Sequence, residues 1–295
     1  MTPELASASA SASGVAAGTC YSVYLPGDGG GKVNGDADGK ATETVVLIHG
    51  VGMNQSVWAP QLAALTGRYR VVAYDMLGHG GSTLPSAQPS LDEYAAQLAQ
   101  LLDALHLPSA HVIGHSMGAL VALEFALNYP ARTLSVVALN AVYDRSPEQR
   151  AAVLNRAATL DASSTVAGVD ATLARWFGSP VPGHLTDAAC AVRGLLTSVD
   201  PVGYARTYQL FASSDDAHVG RLAQLAAPAL FLTGECDPNS SPQMSRAMAA
   251  VAPHGRAEVI ANERHMMNVT EPALVNERLL AFLSDAPRAA QEAAR

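Results

Sequence analysis

The chain has 295 residues, 49 % hydrophobic and 15 % charged, with a net charge of −8 and a pI near 5.5. That length supports a sizeable core, often within one α/β domain. The acidic balance and the absence of any Lys/Arg cluster argue against nucleic acid or an anionic membrane as partner. Cys20, Cys190 and Cys236 lie far apart without C-x-x-C spacing. This is the pattern of free thiols in a reducing compartment, so a cytoplasmic location is expected. No run reaches the ~18 apolar residues a membrane span needs.

In chain order, residues 1–18 alternate Ala and Ser, with neither a basic start nor a compact apolar run, and read as a disordered tail. The Gly/Asp-rich run 27–39 lacks the spaced acids of a calcium loop and reads as a turn between two short strands. Thr44–Ile48 and Arg70–Tyr74 are β-branched runs of strand length, with a helix candidate at 57–66 between them. Ser90 and Glu93 have capping-box spacing, and Tyr94, Leu98, Leu101, Leu102 and Leu105 then share one helical face. A strand is expected at 110–113, a helix at 119–127 and a strand at 134–139. Strands at 229–233 and 257–260 are followed by helices starting at Ser241-Pro242 and at Thr270. Such alternation predicts a mostly parallel central sheet flanked by helices.

Between Asp144 and Asp216 no core strand is found, while Ser146-Pro147-Glu148-Gln149 opens a helix and 171–177 and 188–196 also look helical. This predicts a helical lid at 144–216, inserted after the sixth strand. The α/β core would then comprise 19–143 and 217–285, with a tail at 286–295. A separate helical domain is the alternative, disfavoured because the sheet must resume afterwards.

Gly114-His115-Ser116-Met117-Gly118 fits the G-x-S-x-G nucleophile elbow. The pentapeptide alone is weak, since glycine and serine are common. Its position between a strand and a helix is what points to a reactive serine.

With that elbow, residues 19–285 resemble the α/β-hydrolase superfamily. The resemblance rests also on His49-Gly50-Val51-Gly52 and on Asp75-Met76-Leu77-Gly78-His79-Gly80, each after a strand. Gly234-Glu235-Cys236-Asp237 and a late His265 complete the superfamily's order of nucleophile, acid and histidine. The resemblance implies the α/β-hydrolase fold and a Ser116–His265–Asp237 triad. A serine hydroxyl needs a base to attack, and His265 would supply it, oriented by Asp237. Asp144 and Glu235 are rival acids. The backbone N–H groups of Val51 and Met117 would form the oxyanion hole.

Candidate substrate contacts are Met53, His115 and Met266, with Trp176, Phe177, His184 and Tyr208 from the lid. Trp58 is an alternative pocket residue with a core role equally open. His49, His79 and His115 lie in motif turns and read as structural hydrogen-bonding groups. His106, His111, His218 and His254 read as surface or helix-end residues. Cys236 could be a second nucleophile but reads as a buried small residue. No H-E-x-x-H spacing occurs, and neither metal nor cofactor is expected.

Serine at the elbow disfavours haloalkane dehalogenases and epoxide hydrolases, which place Asp there. His115 and Met266 stand where carbon–carbon hydrolases usually carry Asn and Trp. The stretches from His49 to Gln61 and from His265 to Pro272 resemble 3-oxoadipate enol-lactonase-like enzymes and small carboxylesterases, although Arg264 replaces the usual small residue. The resemblance implies a serine hydrolase acting on an ester or lactone of a small metabolite. Carbon–carbon cleavage, perhydrolase-type activity and non-catalytic ligand binding are the alternatives. Homo-oligomerisation stays open.

Overall fold

The computed structural model describes residues 9–26, 42–160 and 168–293. The chain opens with β1 (Ala12–Ala16) and β2 (Thr19–Tyr24), paired antiparallel from Ala12↔Val23 to Ala16↔Thr19. Ala17 and Gly18 both take positive φ, 47° and 75°, the backbone that suits a two-residue hairpin turn. The expected tail is therefore corrected: residues 12–16 form an edge strand. Its small side chains are largely exposed, so backbone pairing rather than a hydrophobic pattern holds it. The run at 27–39 lies outside the described residues.

The β-branched runs become β3 (Thr44–Ile48) and β4 (Arg70–Tyr74). Between them, residues expected as one helix divide into a 3₁₀ turn at Gln55–Trp58 and α1 (Ala59–Leu65), with Pro60 restarting the helix in its first turn. Next come α2 (Leu91–Ala104), β5 (Ala110–His115), α3 (Met117–Asn128) and β6 (Thr133–Leu139). Four helices follow: α4 (Pro147–Ala158), α5 (Val169–Phe177), α6 (Thr186–Ser198) and α7 (Pro201–Ser213). The sheet resumes with β7 (Ala229–Gly234), α8 (Pro242–Val251) and β8 (Gly255–Ile260). One turn, α9 (Met267–Thr270), then leads into α10 (Pro272–Ala293), which runs beyond the expected boundary at residue 285.

The eight strands lie in the order β1-β2-β4-β3-β5-β6-β7-β8, antiparallel at β1/β2 and β2/β4 and parallel elsewhere. Helices cover the central strands, so β3 and β5 are buried on both faces. That burial overturns the surface reading of His111, which is 1 % exposed on β5 with Nδ1 2.8 Å from Ser135 Oγ. His218 is likewise buried, with Nε2 3.0 Å from Glu124 Oε2.

Local capping signals are honoured in part. Ser90 caps α2 through the Glu93 N–H at 3.2 Å, but the Glu93 carboxylate binds Ser86 instead of returning to Ser90. Ser146 and Gln149 form the complete reciprocal box on α4. Helix α7 was not expected from the sequence, although Asp200 caps it and Pro201 starts it. Side chains of the inserted helices, including Val153, Leu173 and Phe211, belong to the same hydrophobic cluster as the sheet. Among the described residues, no helix is long and apolar enough to cross a membrane.

Candidate active site

The parallel strands β5, β7 and β8 all end on one edge of the sheet, and each is followed by one member of a hydrogen-bonded chain. Ser116 sits between β5 and α3 with φ 56° and ψ −114°, a strained backbone for a non-glycine residue. Its N–H donates to Leu139 O at 2.8 Å, which fixes the turn to β6. A Cβ at Gly114 would stand 2.0 Å from Gly118 O, and one at Gly118 would stand 2.2 Å from Ile48 O. Both positions therefore exclude a side chain, and the sharp strand-to-helix passage depends on it.

His265 lies 2 % exposed in the loop after β8, with Nε2 3.1 Å from Ser116 Oγ and Nδ1 2.8 Å from Asp237 Oδ2. A carboxylate accepts only, so Nδ1 carries the proton and Nε2 is free to accept from the serine hydroxyl. Asp237, after β7, also accepts from Asn140 Nδ2 at 2.8 Å and, through Oδ1, from the Asn239 N–H at 2.8 Å. Burial pushes its carboxyl upward, but His265 and these hydrogen bonds together outweigh burial and hold it below the usual carboxylate range.

The rival acids do not join this chain. Asp144 is exposed, and Glu235 is exposed with its carboxylate on the Asn262 N–H at 3.0 Å. Cys236 is an exposed free thiol, not the buried small residue expected, because the turn that buries Asp237 directs its neighbour outward.

The motif histidines act as struts. His49 Nε2 accepts the Met76 N–H at 2.9 Å while Nδ1–H donates to Gly50 O at 2.8 Å. His79 Nε2 accepts the Gly52 N–H at 3.0 Å while Nδ1–H donates to Leu77 O at 3.1 Å. Burial lowers both pKa values, to about 4 and about 3, so both rings are neutral and can accept. They pin the turn that carries Val51. His115 donates Nε2–H to His265 O at 2.8 Å, and burial lowers its pKa to about 3.

A cavity of about 170 Å³ opens over Ser116 and His265. Val51 lines it, as do Met53, His115, Trp176, Tyr208 and Met266 among the candidate substrate contacts. The Trp176 ring lies 5.3 Å from that of His265, and the His115 ring 5.0 Å from it. Met117 is fully buried and its side chain does not line the cavity; as the first residue of α3 it can offer only its N–H. Trp58 is wholly buried in the core.

Two expected contacts fall elsewhere. Phe177 packs into the hydrophobic cluster because it leaves α5 on the face opposite the cavity-lining Arg175 and Trp176 pair. His184 is exposed on the 3₁₀ turn Gly183–Leu185.

Sequence reading missed Arg145, Gln149, Arg156, Arg175, Tyr204 and Phe211, all of which line the cavity. A signal was present: Gln149, Ala152, Val153 and Arg156 follow i, i+3, i+4, i+7 along α4 and form its cavity face. Tyr204, Tyr208 and Phe211 do the same on α7. It also missed Asn140, whose positive φ of 51° turns its amide onto Asp237. Among the described residues, no group of three or more His, Cys, Asp or Glu stands together as metal ligands.

The chain is similar to several known proteins. The (E)-2-((N-methylformamido)methylene)succinate hydrolase of Acinetobacter baylyi is 37 % identical over 245 residues, 83 % of this chain and 92 % of that protein. The 3-oxoadipate enol-lactonase 1 of the same organism is 29 % identical, over 82 % of this chain and 87 % of its own. The crystal structure of the enol-lactonase from Burkholderia xenovorans superposes with a TM-score of 0.78 at 24 % identity, covering 92 % of this chain and all of that one, a likeness of fold. The sequence profile of the alpha/beta hydrolase fold matches residues 43–272, and the chain belongs to that family.

Proposed function

We propose that the protein is a serine hydrolase that cleaves an ester or lactone of a small metabolite through an acyl-enzyme. The observation that carries this reading is the unbroken chain from Ser116 Oγ through His265 to Asp237, at 3.1 Å and 2.8 Å, open to a cavity at the elbow. Ser116 Oγ attacks the substrate carbonyl as its proton passes to His265 Nε2. The oxyanion is met by the N–H groups of Val51 and Met117, each such donor being worth roughly 10²- to 10³-fold in rate. His265 then returns the proton to the leaving oxygen, and the C–O bond breaks. Water, deprotonated by His265, releases the acid and restores Ser116. Helices α4 to α7 serve as the lid and shape the acyl pocket. No cofactor takes part. Free thiols at Cys20, Cys190 and Cys236 favour a reducing, cytoplasmic setting.

A second reading keeps every residue role but breaks a carbon–nitrogen acyl bond. The relative at 37 % identity is named for an N-substituted formamide, which favours it. Matched esters, lactones and amides of one acid distinguish the two readings. A serine-directed phosphonate tests the shared core: it should label Ser116 alone and stop turnover. Labelling at Cys236 instead would overturn the assignment.

A further inference from the structure

Three arginines line the cavity above Ser116: Arg145 beyond β6, Arg156 from α4 and Arg175 from α5. Among the described residues no Asp or Glu lines it, although the whole chain holds 26 acidic residues against 18 basic ones. A concentration of positive charge here, against the overall balance, needs a reason.

Arg145 has one within the protein. Its Nη1 lies 3.3 Å from Asp215 Oδ1, with both side chains buried, and its guanidinium sits 4.8 Å over the Phe211 ring. It is compensated. Arg156 and Arg175 are not: among the described residues neither forms an ion pair. Arg156 Nε donates to Tyr208 Oη at 3.3 Å. Arg175 donates from Nη1 to Ala171 O at 3.3 Å and from Nη2 to Thr172 Oγ1 at 3.0 Å. Its Nε is buried with no acceptor at all. Burial and the nearby Arg156 charge both disfavour the Arg175 cation. Two half-buried like charges with an orphaned donor between helices are unfavourable unless something anionic enters, and a guanidinium fork matches a carboxylate geometrically.

We infer that the substrate is a derivative of a dicarboxylic acid, with two free carboxylates held by Arg156 and Arg175 while its scissile carbonyl faces Ser116. Two carboxylates, rather than one, match the two uncompensated cations. The Tyr208 hydroxyl, already bonded to Arg156, steadies that guanidinium. Acid residues are excluded from the lining because each would neutralise the receptor. This assignment of substrate class rests on the acyl-enzyme reading of the same cavity.

The test begins with the wild-type enzyme hydrolysing a neutral p-nitrophenyl ester. Succinate should inhibit competitively, whereas butane-1,4-diol, its uncharged and non-hydrolysable counterpart, and acetate should not. Succinate should also bind the Ser116→Ala protein in calorimetry, with affinity falling as salt is raised. Arg156→Gln and Arg175→Gln should each weaken that binding about 30-fold or more. Acetate binding as tightly as succinate, or succinate binding that ignores both substitutions and salt, would overturn the proposal. Loss of neutral-ester turnover in Ser116→Ala reads the nucleophile separately. A failure there would sink the serine mechanism while the calorimetric titration still judged the receptor.

Discussion

His115 Nε2 donates to the backbone carbonyl of His265 at 2.8 Å, so the residue before Ser116 holds the loop that carries His265. The two rings lie 5.0 Å apart, and the carbonyl contact forces the His115 proton onto Nε2. Elbow and histidine loop are 150 residues apart in sequence yet form one rigid corner. The remaining cavity walls come from the loops around Val51 and Asn239 and from the inserted helices α4, α5 and α7.

Replacing Ser116 by Ala should lower kcat by roughly 10⁴- to 10⁶-fold while leaving the fold intact. Steady-state kinetics beside a thermal melt checks both. Retained turnover would place the nucleophile elsewhere.

Asp237→Asn should cut kcat about 10⁴-fold, because an amide favours the wrong imidazole tautomer. Asp144→Asn should cost under about tenfold, since its exposed carboxylate lies outside the hydrogen-bonded chain. Reversed losses would assign the acid to Asp144.

Acid should destabilise the protein before its carboxylates titrate. His49, His79 and His115 have pKa values lowered to about 4, about 3 and about 3 by burial, against 6.5 when unfolded. Between those limits the unfolded chain binds more protons, so the stability these rings confer is complete above pH 6.5 and declines as pH falls. Each ring contributes a slope of roughly 1.4 kcal/mol per pH unit in that window. Urea unfolding between pH 7 and 4.5 measures it. His79→Gln, which retains an acceptor for the Gly52 N–H, should flatten the slope by one ring's share, roughly 1.4 kcal/mol per pH unit.

Two glycines should respond oppositely to alanine. Gly118→Ala drives a Cβ to 2.2 Å from Ile48 O on a buried strand, and should cost about 3 kcal/mol or more or prevent folding. Gly194→Ala in α6 meets nothing within 4 Å and should stabilise by about 0.5–1 kcal/mol. Chemical denaturation curves for the pair decide.

Replacing α4 to α7 with the equivalent helices of a relative should change acyl preference and leave the pH profile of kcat in place. Asp237 and His265 stand on the loops after β7 and β8, while Arg156, Arg175 and Tyr208 stand on the exchanged helices. Unchanged selectivity would mean that the core loops build the pocket.

Resemblance to a superfamily's motif order singled out Asp237 and His265, while local chemistry along the chain was enough to mark the β-branched strands, the elbow glycines and Ser116. These local features follow from near neighbours: a strand's residue types, a turn that rejects a Cβ, a proline that starts a helix. Other features follow from distant ones. Residues 12–16 became a strand because β2 offers a free edge, which their own side chains do not announce. His111 is buried because helices cover both faces of β5, and Cys236 is exposed because Asp237 turns inward beside it. Which side chains of α4, α5 and α7 face Ser116 depends on how each helix rotates as it packs. That rotation brought Arg156 and Arg175 into the cavity and left Phe177 in the core and His184 at the surface. The elbow at Ser116 was thus legible from local sequence, whereas the shape and charge of the pocket around it arose only from packing between segments far apart in the chain.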